Sequence, residues 1–242
     1  MLSKLAKEPI EAFSNGGPGA CPRISILMPI YNGAEFLSES VASVLQQTYS
    51  NWELLIAING YDVESQVYIM ARDYIKALGD IRISVLDYHD CKSKPATLNK
   101  MLGEVRAPYV ALLDVDDIWL PNKLAKQEPY WQQGYDVIGT KCVYFGDKNN
   151  IVPDLPVGDI SVFNFLQVNP IINSSAIIKK ELAQWDTSCF VEDYDLWLQL
   201  WQEKRRFFNC PDVLVKHRIH QASAFNAKGN DNCVAALRLK YV

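Results

Sequence analysis

Tyr109-Val110-Ala111-Leu112-Leu113-Asp114-Val115-Asp116-Asp117 sets five apolar residues directly ahead of three carboxylates. The apolar half has the length and composition of a strand buried on both faces, and it ends where the acids begin. Residues two apart on an extended chain face the same way, so Asp114 and Asp116 are expected to point at one ligand. Upstream, Ile24-Ser25-Ile26-Leu27-Met28 before Pro29 is a similar run, Trp52 to Ile58 another, closed by Asn59-Gly60, and Ile81 to Leu86 a third. Between the runs, apolar residues recur at helical spacing: Phe36, Leu37, Val41, Val44 and Leu45, then Val63, Val67, Met70, Tyr74 and Leu78, then Met101, Leu102 and Val105. Strand alternating with helix implies an α/β fold, a Rossmann-like and mostly parallel central sheet flanked by helices. Ligands of such sheets lie beyond the carboxyl ends of the strands. That rule singles out Pro29 to Asn32, Asn59 to Asp62, the turn after Leu86 and the acids after Leu113.

Beyond residue 121 the pattern loosens into short strands, Asp136 to Gly139, Cys142 to Phe145 and Ser174 to Ile178, and a helix from about Asp193 to Glu203. This half is expected to be a mixed C-terminal extension of the same sheet. The division that follows is a tail or linker over 1–22, one domain over 23–225 (halves about 23–120 and 121–225), and a helical tail over 226–242. The tail from Cys233 to Val242 stops abruptly, as it would in a piece of a longer protein. Lys148 to Ile160, with Pro153, Pro156 and Gly158, reads as a loop, a candidate lid.

Composition removes whole classes. Of 242 residues 49% are hydrophobic and 21% charged, which excludes a disordered chain, and 12 glycines exclude a collagen-like one. A net charge of −4 with scattered bases speaks against nucleic-acid binding. No apolar run is long enough for a membrane span. Six cysteines without a CxxC pair are expected to be free, mostly buried thiols, and a cytoplasmic location is the expectation.

Two readings of the acidic cluster stand side by side. Asp is common in a solvated turn ahead of a helix. Converging carboxylates also call for a cation, and hard oxygen ligands suit Mn²⁺ or Mg²⁺ shared with substrate phosphates. Its place at a strand's carboxyl end favours the second.

The sequence resembles the family 2 glycosyltransferases of the GT-A fold. Ile26 to Gly33 looks like that family's opening strand and turn, and Ser43 to Tyr49 with Trp52-Glu53-Leu54 like its first helix and second strand. Lys94-Pro95-Ala96-Thr97-Leu98-Asn99-Lys100 resembles the segment that passes the donor diphosphate, and Leu113 to Trp119 the DxD metal motif. Glu192 to Leu198 resembles the downstream acidic motif, and Arg218-Ile219-His220-Gln221-Ala222-Ser223 the late basic one. The resemblance spans about residues 23–225. It departs after the second strand, where the family commonly has Asp-Asp-Gly and this chain has Ile58-Asn59-Gly60. Asn59 falls on the position that reads the nucleotide base, and an amide both donates and accepts where a carboxylate only accepts.

The resemblance implies inverting transfer of a sugar from a nucleotide-diphosphate donor to an acceptor hydroxyl on a glycan, lipid-linked molecule or protein, with Mn²⁺ or Mg²⁺. It makes Asp116 a metal ligand, brings His220 to the metal or the diphosphate, and makes Asp193, ahead of Asp195 or Glu192, the general base. Pro29, Tyr31, Asn59, Lys94, Asp114 and Asp117 become donor contacts. The residues themselves leave alternatives. Lys94 also fits a solvated surface, and His217, Arg218 and His220 a polar surface loop. Glu192, Asp193 and Asp195 also suit a helix start, where acids oppose the dipole. Trp131, Trp185, Trp197 and Trp201 divide between core and sugar stacking, with core favoured. A pyrophosphorylase would need a Gly-rich basic loop after the first strand, and a nicotinamide dehydrogenase GxGxxG, and neither is present. A non-catalytic sugar- or nucleotide-binding module on the same fold is the remaining rival.

Overall fold

The computed structural model describes residues 21–220 and 230–242. The expected tail over 1–22, apart from its last two residues, and positions Gln221 to Ser223 of the basic motif lie outside them. The chain runs β1 (Ile24–Ile30), α1 (Leu37–Leu45), β2 (Trp52–Ile58), α2 (Gln66–Leu78), β3 (Ile83–Asp87), α3 (Lys94–Met101) and β4 (Tyr109–Leu112). It continues through β5 (Ile118–Trp119), α4 (Lys123–Gln132), β6 (Val137–Gly146), β7 (Gly158–Asp159), β8 (Ile177–Lys179), α5 (Glu192–Gln202), β9 (Phe207–Ile219) and α6 (Asn230–Leu239).

One sheet in the order β3-β2-β1-β4-β8-β6-β9-β5, with β7 on β9, takes every strand of the described residues. The first four strands are parallel, and β8 switches direction, pairing antiparallel with both β4 and β6. The expected mostly parallel sheet with a mixed extension is the sheet observed. β1 and β2 are buried on both faces, which is why they read as unbroken apolar runs. Two apolar layers cover the sheet, one built on Ile26, Ile56, Val41 and Ala71, the other on Leu27, Leu55, Leu98 and Trp197. Local chemistry sets the helix ends. Ser65 accepts from Tyr68 N at 3.2 Å to start α2, and Gly79, at φ 65°, ends it. Ser93 caps α3, with Pro95 in the first turn.

Several boundaries move. β3 begins at Ile83, leaving Ile81 86% exposed. The two short strands expected over 136–145 are one strand, β6, whose register against β9 shifts between Thr140 and Cys142. The apparent break is a bulge. Residues Asn173–Ser175 form a 3-10 turn ahead of β8 rather than its start. The long strand β9 replaces the surface loop considered for His217 and Arg218. The candidate lid is fastened at both ends, through a Tyr144–Ile151 bridge and the pairing of β7 with β9. All six cysteines are free, but only Cys142 and Cys210 are buried, whereas most were expected to be. Trp131, Trp185 and Trp197 are core residues. Among the described residues no helix is long and apolar enough to cross a membrane.

Candidate active site

The chain leaves β4 and turns at once, with Asp117 N donating to Asp114 O at 3.0 Å. The acids therefore sit on a turn, and the extended geometry expected for Asp114 and Asp116 does not hold. Their carboxylates take different partners. Lys94 Nζ, from the first residue of α3, lies 2.7 Å from Asp114 Oδ1 and 3.2 Å from Glu192 Oε1 at the start of α5. Asn173 Nδ2 donates to Asp114 Oδ2 at 3.0 Å, and Ser174 Oγ accepts from Asp114 N at 3.1 Å. Burial opposes ionisation of Asp114, but the Lys94 ammonium, with the Asn173 hydrogen bond and His217, more than offsets it and holds the carboxyl below its ordinary value. Burial likewise opposes the Lys94 charge, and Asp114 and Glu192 hold it above its ordinary value.

Asp193 stands next to Glu192 and in the field of Lys94. Burial, then the Glu192 carboxylate, raises it to about 6, with Lys94 pulling the other way. A carboxylate tuned toward neutrality is suited to take a proton. Asp193 Oδ1 also accepts from Tyr194 N at 2.7 Å, so the side chain contributes to the helix start as well.

The second half of the cluster faces β9. Asp116 Oδ2 lies 3.0 Å from His220 Nε2. Burial, followed by Asp117 and Asp114, raises the Asp116 carboxyl, the response of an acid short of positive charge. Asp117 is 1% exposed and turned inward. His217 Nδ1 lies 3.0 Å from its Oδ2, and Arg218 N donates to its Oδ1 at 2.8 Å. Asp117 was expected as a donor contact. With both oxygens engaged inside the protein it is instead a strut between the acidic turn and β9. Burial opposes the His217 charge, yet Asp117 raises it to about 9. Arg218 Nε donates to Asp116 O at 2.8 Å, and its guanidinium pairs with Glu39 of α1.

Pro29 lies near the end of β1 and Tyr31 follows it, 55% exposed. Tyr31 packs on Gly60, where a Cβ would fall 2.3 Å from the ring, so the turn after β2 needs glycine, here at φ 80°. Beside it Asn59 is fully buried, and neither its amide oxygen nor its nitrogen has a hydrogen-bond partner among the described residues. A buried amide without partners is costly, and a ligand's polar edge would remove that cost. Asn173 and Ser174 were missed by sequence reasoning. Asn-Ser-Ser ahead of an apolar run signals a turn but not its neighbour 59 residues upstream.

Asp116 and His220 form a fitting pair for a divalent cation, one hard oxygen and one imidazole nitrogen beside an under-compensated carboxylate. Among the described residues no group of three His, Cys, Asp or Glu gathers as a complete metal cage, so a cation there would need substrate oxygens.

Known proteins share this sequence pattern and this fold. The "Glycosyl transferase family 2" profile matches residues 25–181. EpsE of Bacillus subtilis is 30% identical over 206 residues, covering 81% of this chain and 73% of EpsE. WfgD of Escherichia coli, a UDP-Glc:alpha-D-GlcNAc-diphosphoundecaprenol beta-1,3-glucosyltransferase, is 29% identical over 217 residues, 85% of this chain and 80% of WfgD. The mannosyltransferase PcManGT of Pyrobaculum calidifontis, solved with GDP-Man and Mn²⁺, superposes with a TM-score of 0.70 over 92% of this chain at 16% identity, a likeness of GT-A fold. This chain spans 64% of that one. With a profile match over most of the described sheet and a relative at 30% identity along most of both chains, the protein belongs to glycosyltransferase family 2.

Proposed function

We propose that this enzyme transfers a sugar from a nucleotide-diphosphate donor to an acceptor hydroxyl, with inversion at the anomeric carbon, in polysaccharide or glycan synthesis. The observation that carries the reading is Lys94, which bridges Asp114 of the acidic turn and Glu192 of α5 and so joins, beside Asp193, the two halves that this reading makes the donor half (about 23–120) and the acceptor half (about 121–225). Asp193 takes the proton of the acceptor hydroxyl as the oxygen attacks from the face opposite the diphosphate. Lys94 and Asp114 orient the donor. Pro29, Tyr31 and Asn59 surround the base, where the partnerless amide of Asn59 supports a ligand contact. Asp116 and His220 would hold Mn²⁺ or Mg²⁺, which when bound neutralises charge growing on the departing diphosphate. PcManGT's complex with Mn²⁺ supports this. WfgD's lipid-linked acceptor supports a similar acceptor here. Residues 23–225 act as one domain, and the six free thiols support a cytoplasmic setting.

The test is nucleotide release from a panel of nucleotide sugars with Mn²⁺ or Mg²⁺, with a lipid-linked or glycan acceptor. Asp116→Ala should lose metal-assisted donor binding. Asp193→Asn should keep that binding and lose about 10²–10⁴-fold in transfer. Near-wild-type transfer by Asp193→Asn overturns the base assignment.

A further inference from the structure

Lys123, the first residue of α4, is fully buried. A buried lysine is ordinarily paired with a carboxylate. Among the described residues this one has none in contact. Its Nζ lies 3.9 Å from the centre of the Trp119 ring and donates to Gln127 Oε1 at 2.8 Å. Burial pushes its ammonium well down, toward the neutral amine.

Trp119 and Gln127 share a task. With Gln127 Oε1 occupied by the amine, the amide is locked one way round, and its Nε2 donates to Ile138 O and to Ser175 O, both at 2.9 Å. Trp119 Nε1 donates to Ser174 O at 2.7 Å. Successive carbonyls of the 3-10 turn are thus gripped from below, while Ser175 Oγ accepts from Thr140 N at 3.1 Å. The upper side of the same turn meets the acidic cluster: Ser174 Oγ accepts from Asp114 N, and Asn173 Nδ2 donates to Asp114 Oδ2. Hydrogen bonds below and above the turn, joined through its covalent backbone, therefore link the interior amine to the carboxylate that Lys94 contacts.

We propose that Lys123 and Gln127 are positioning residues, which act through Trp119 and the Asn173–Ser175 turn to fix the Asp114 carboxylate for donor binding. The inference rests on the proposed role of Asp114 in the donor site. Lys123 needs its donor hydrogen for this and not its charge, which explains an interior lysine with no acid in contact among the described residues. Gln127 needs its amide: a carboxylate there would satisfy the lysine better and release both carbonyls.

The experiment uses the full chain and measures binding of a nucleoside diphosphate panel, UDP and GDP included, with Mn²⁺, together with melting temperature. Gln127→Glu should fold, because it supplies Lys123 with a counter-ion, yet bind the preferred nucleotide about tenfold more weakly, as a displaced contact costs affinity without costing the fold. Lys123→Met, matched in length, should weaken binding similarly. Asn173→Ala removes the upper end of this link, and combined with Gln127→Glu it should cost less than the two single effects multiplied, because both act on one carboxylate. Unchanged nucleotide affinity in Gln127→Glu and Asn173→Ala overturns the proposal, as does simple multiplication of their effects. Asp114→Ala separates the two levels. If it weakens binding and those variants do not, the positioning link fails alone. If it too leaves binding unchanged, or the wild type binds no nucleotide, the donor-site reading fails and this inference with it.

Discussion

What an aspartate can do is set by what stands beside it, and four aspartates here have four different neighbours. Asp114 has Lys94 and stays ionised. Asp116 has acids close by and is raised. Asp117 is sealed against His217. Asp193 is raised to about 6 by burial and Glu192. As a base Asp193 must be ionised, so the rate of transfer at low donor concentration should climb as pH rises through about 6 and level off above it. Lys94 opposes that rise in pKa, so Lys94→Met should move the rising limb to higher pH, a displacement separate from any loss in height. A pH–rate profile of both proteins checks this, and a limb that stays put removes Asp193 from the role. His217 makes a prediction about stability. Its pKa in the folded protein is about 9 against an ordinary 6.5, so folding favours the protonated ring. The stabilisation is complete below about 6.5 and disappears as pH rises through about 9. Denaturant midpoints should therefore fall across that window, and His217→Gln should flatten the fall.

Among the elements, α5 carries Asp193 and is held by the C-terminal segment. Tyr241 Oη donates to Asp195 Oδ1 at 2.6 Å, and Lys240 Nζ to the same oxygen at 3.0 Å. Arg238 Nε donates to Tyr194 Oη at 3.0 Å. Asp195 is 2% exposed, so removing a donor leaves buried charge under-satisfied. Tyr241→Phe should cost about 1.5–3 kcal/mol in chemical unfolding. Because the clasp grips α5 and not the acidic turn, it should also reduce transfer more than nucleotide binding. The elements differ in how legible they were. β1, β2 and β4 announced themselves because both faces are buried. α4 was hidden by Pro129 and its polar residues, and β9 by Pro211, which falls at the register shift, and by the charged Lys216 and Arg218. At the site, acids at strand and helix ends were legible from local pattern. Their pairings were not: Asp114 with Asn173, and Asp117 with His217, join distant parts of the chain, and nothing local in a sequence encodes that approach.

At the scale of the whole molecule, the sheet passes from the N-terminal half to the C-terminal half without an edge. β4 pairs with β1 on one side and β8 on the other, and β5, from the N-terminal half, closes onto β9. Trp119 of β5 is buried with its indole bonded to Ser174, so the halves share core as well as backbone bonds. Neither half can expose that seam without stranding apolar surface and backbone groups, and the two should unfold together. Hydrogen exchange of the β1 and β2 amides reports the N-terminal half. Fluorescence reports mostly the C-terminal half, because Trp131, Trp185, Trp197 and Trp201 lie there, four of the chain's six tryptophans. The two probes should give one midpoint. A nucleoside diphosphate with Mn²⁺ at about 100 times its dissociation constant should add about 2.7 kcal/mol. For a chain of this length that is a rise of about 5–10 °C, felt equally by both probes. Two separated midpoints, or a rise confined to the β1 and β2 amides, would show that the seam at β4 and β8 is a joint between independent units.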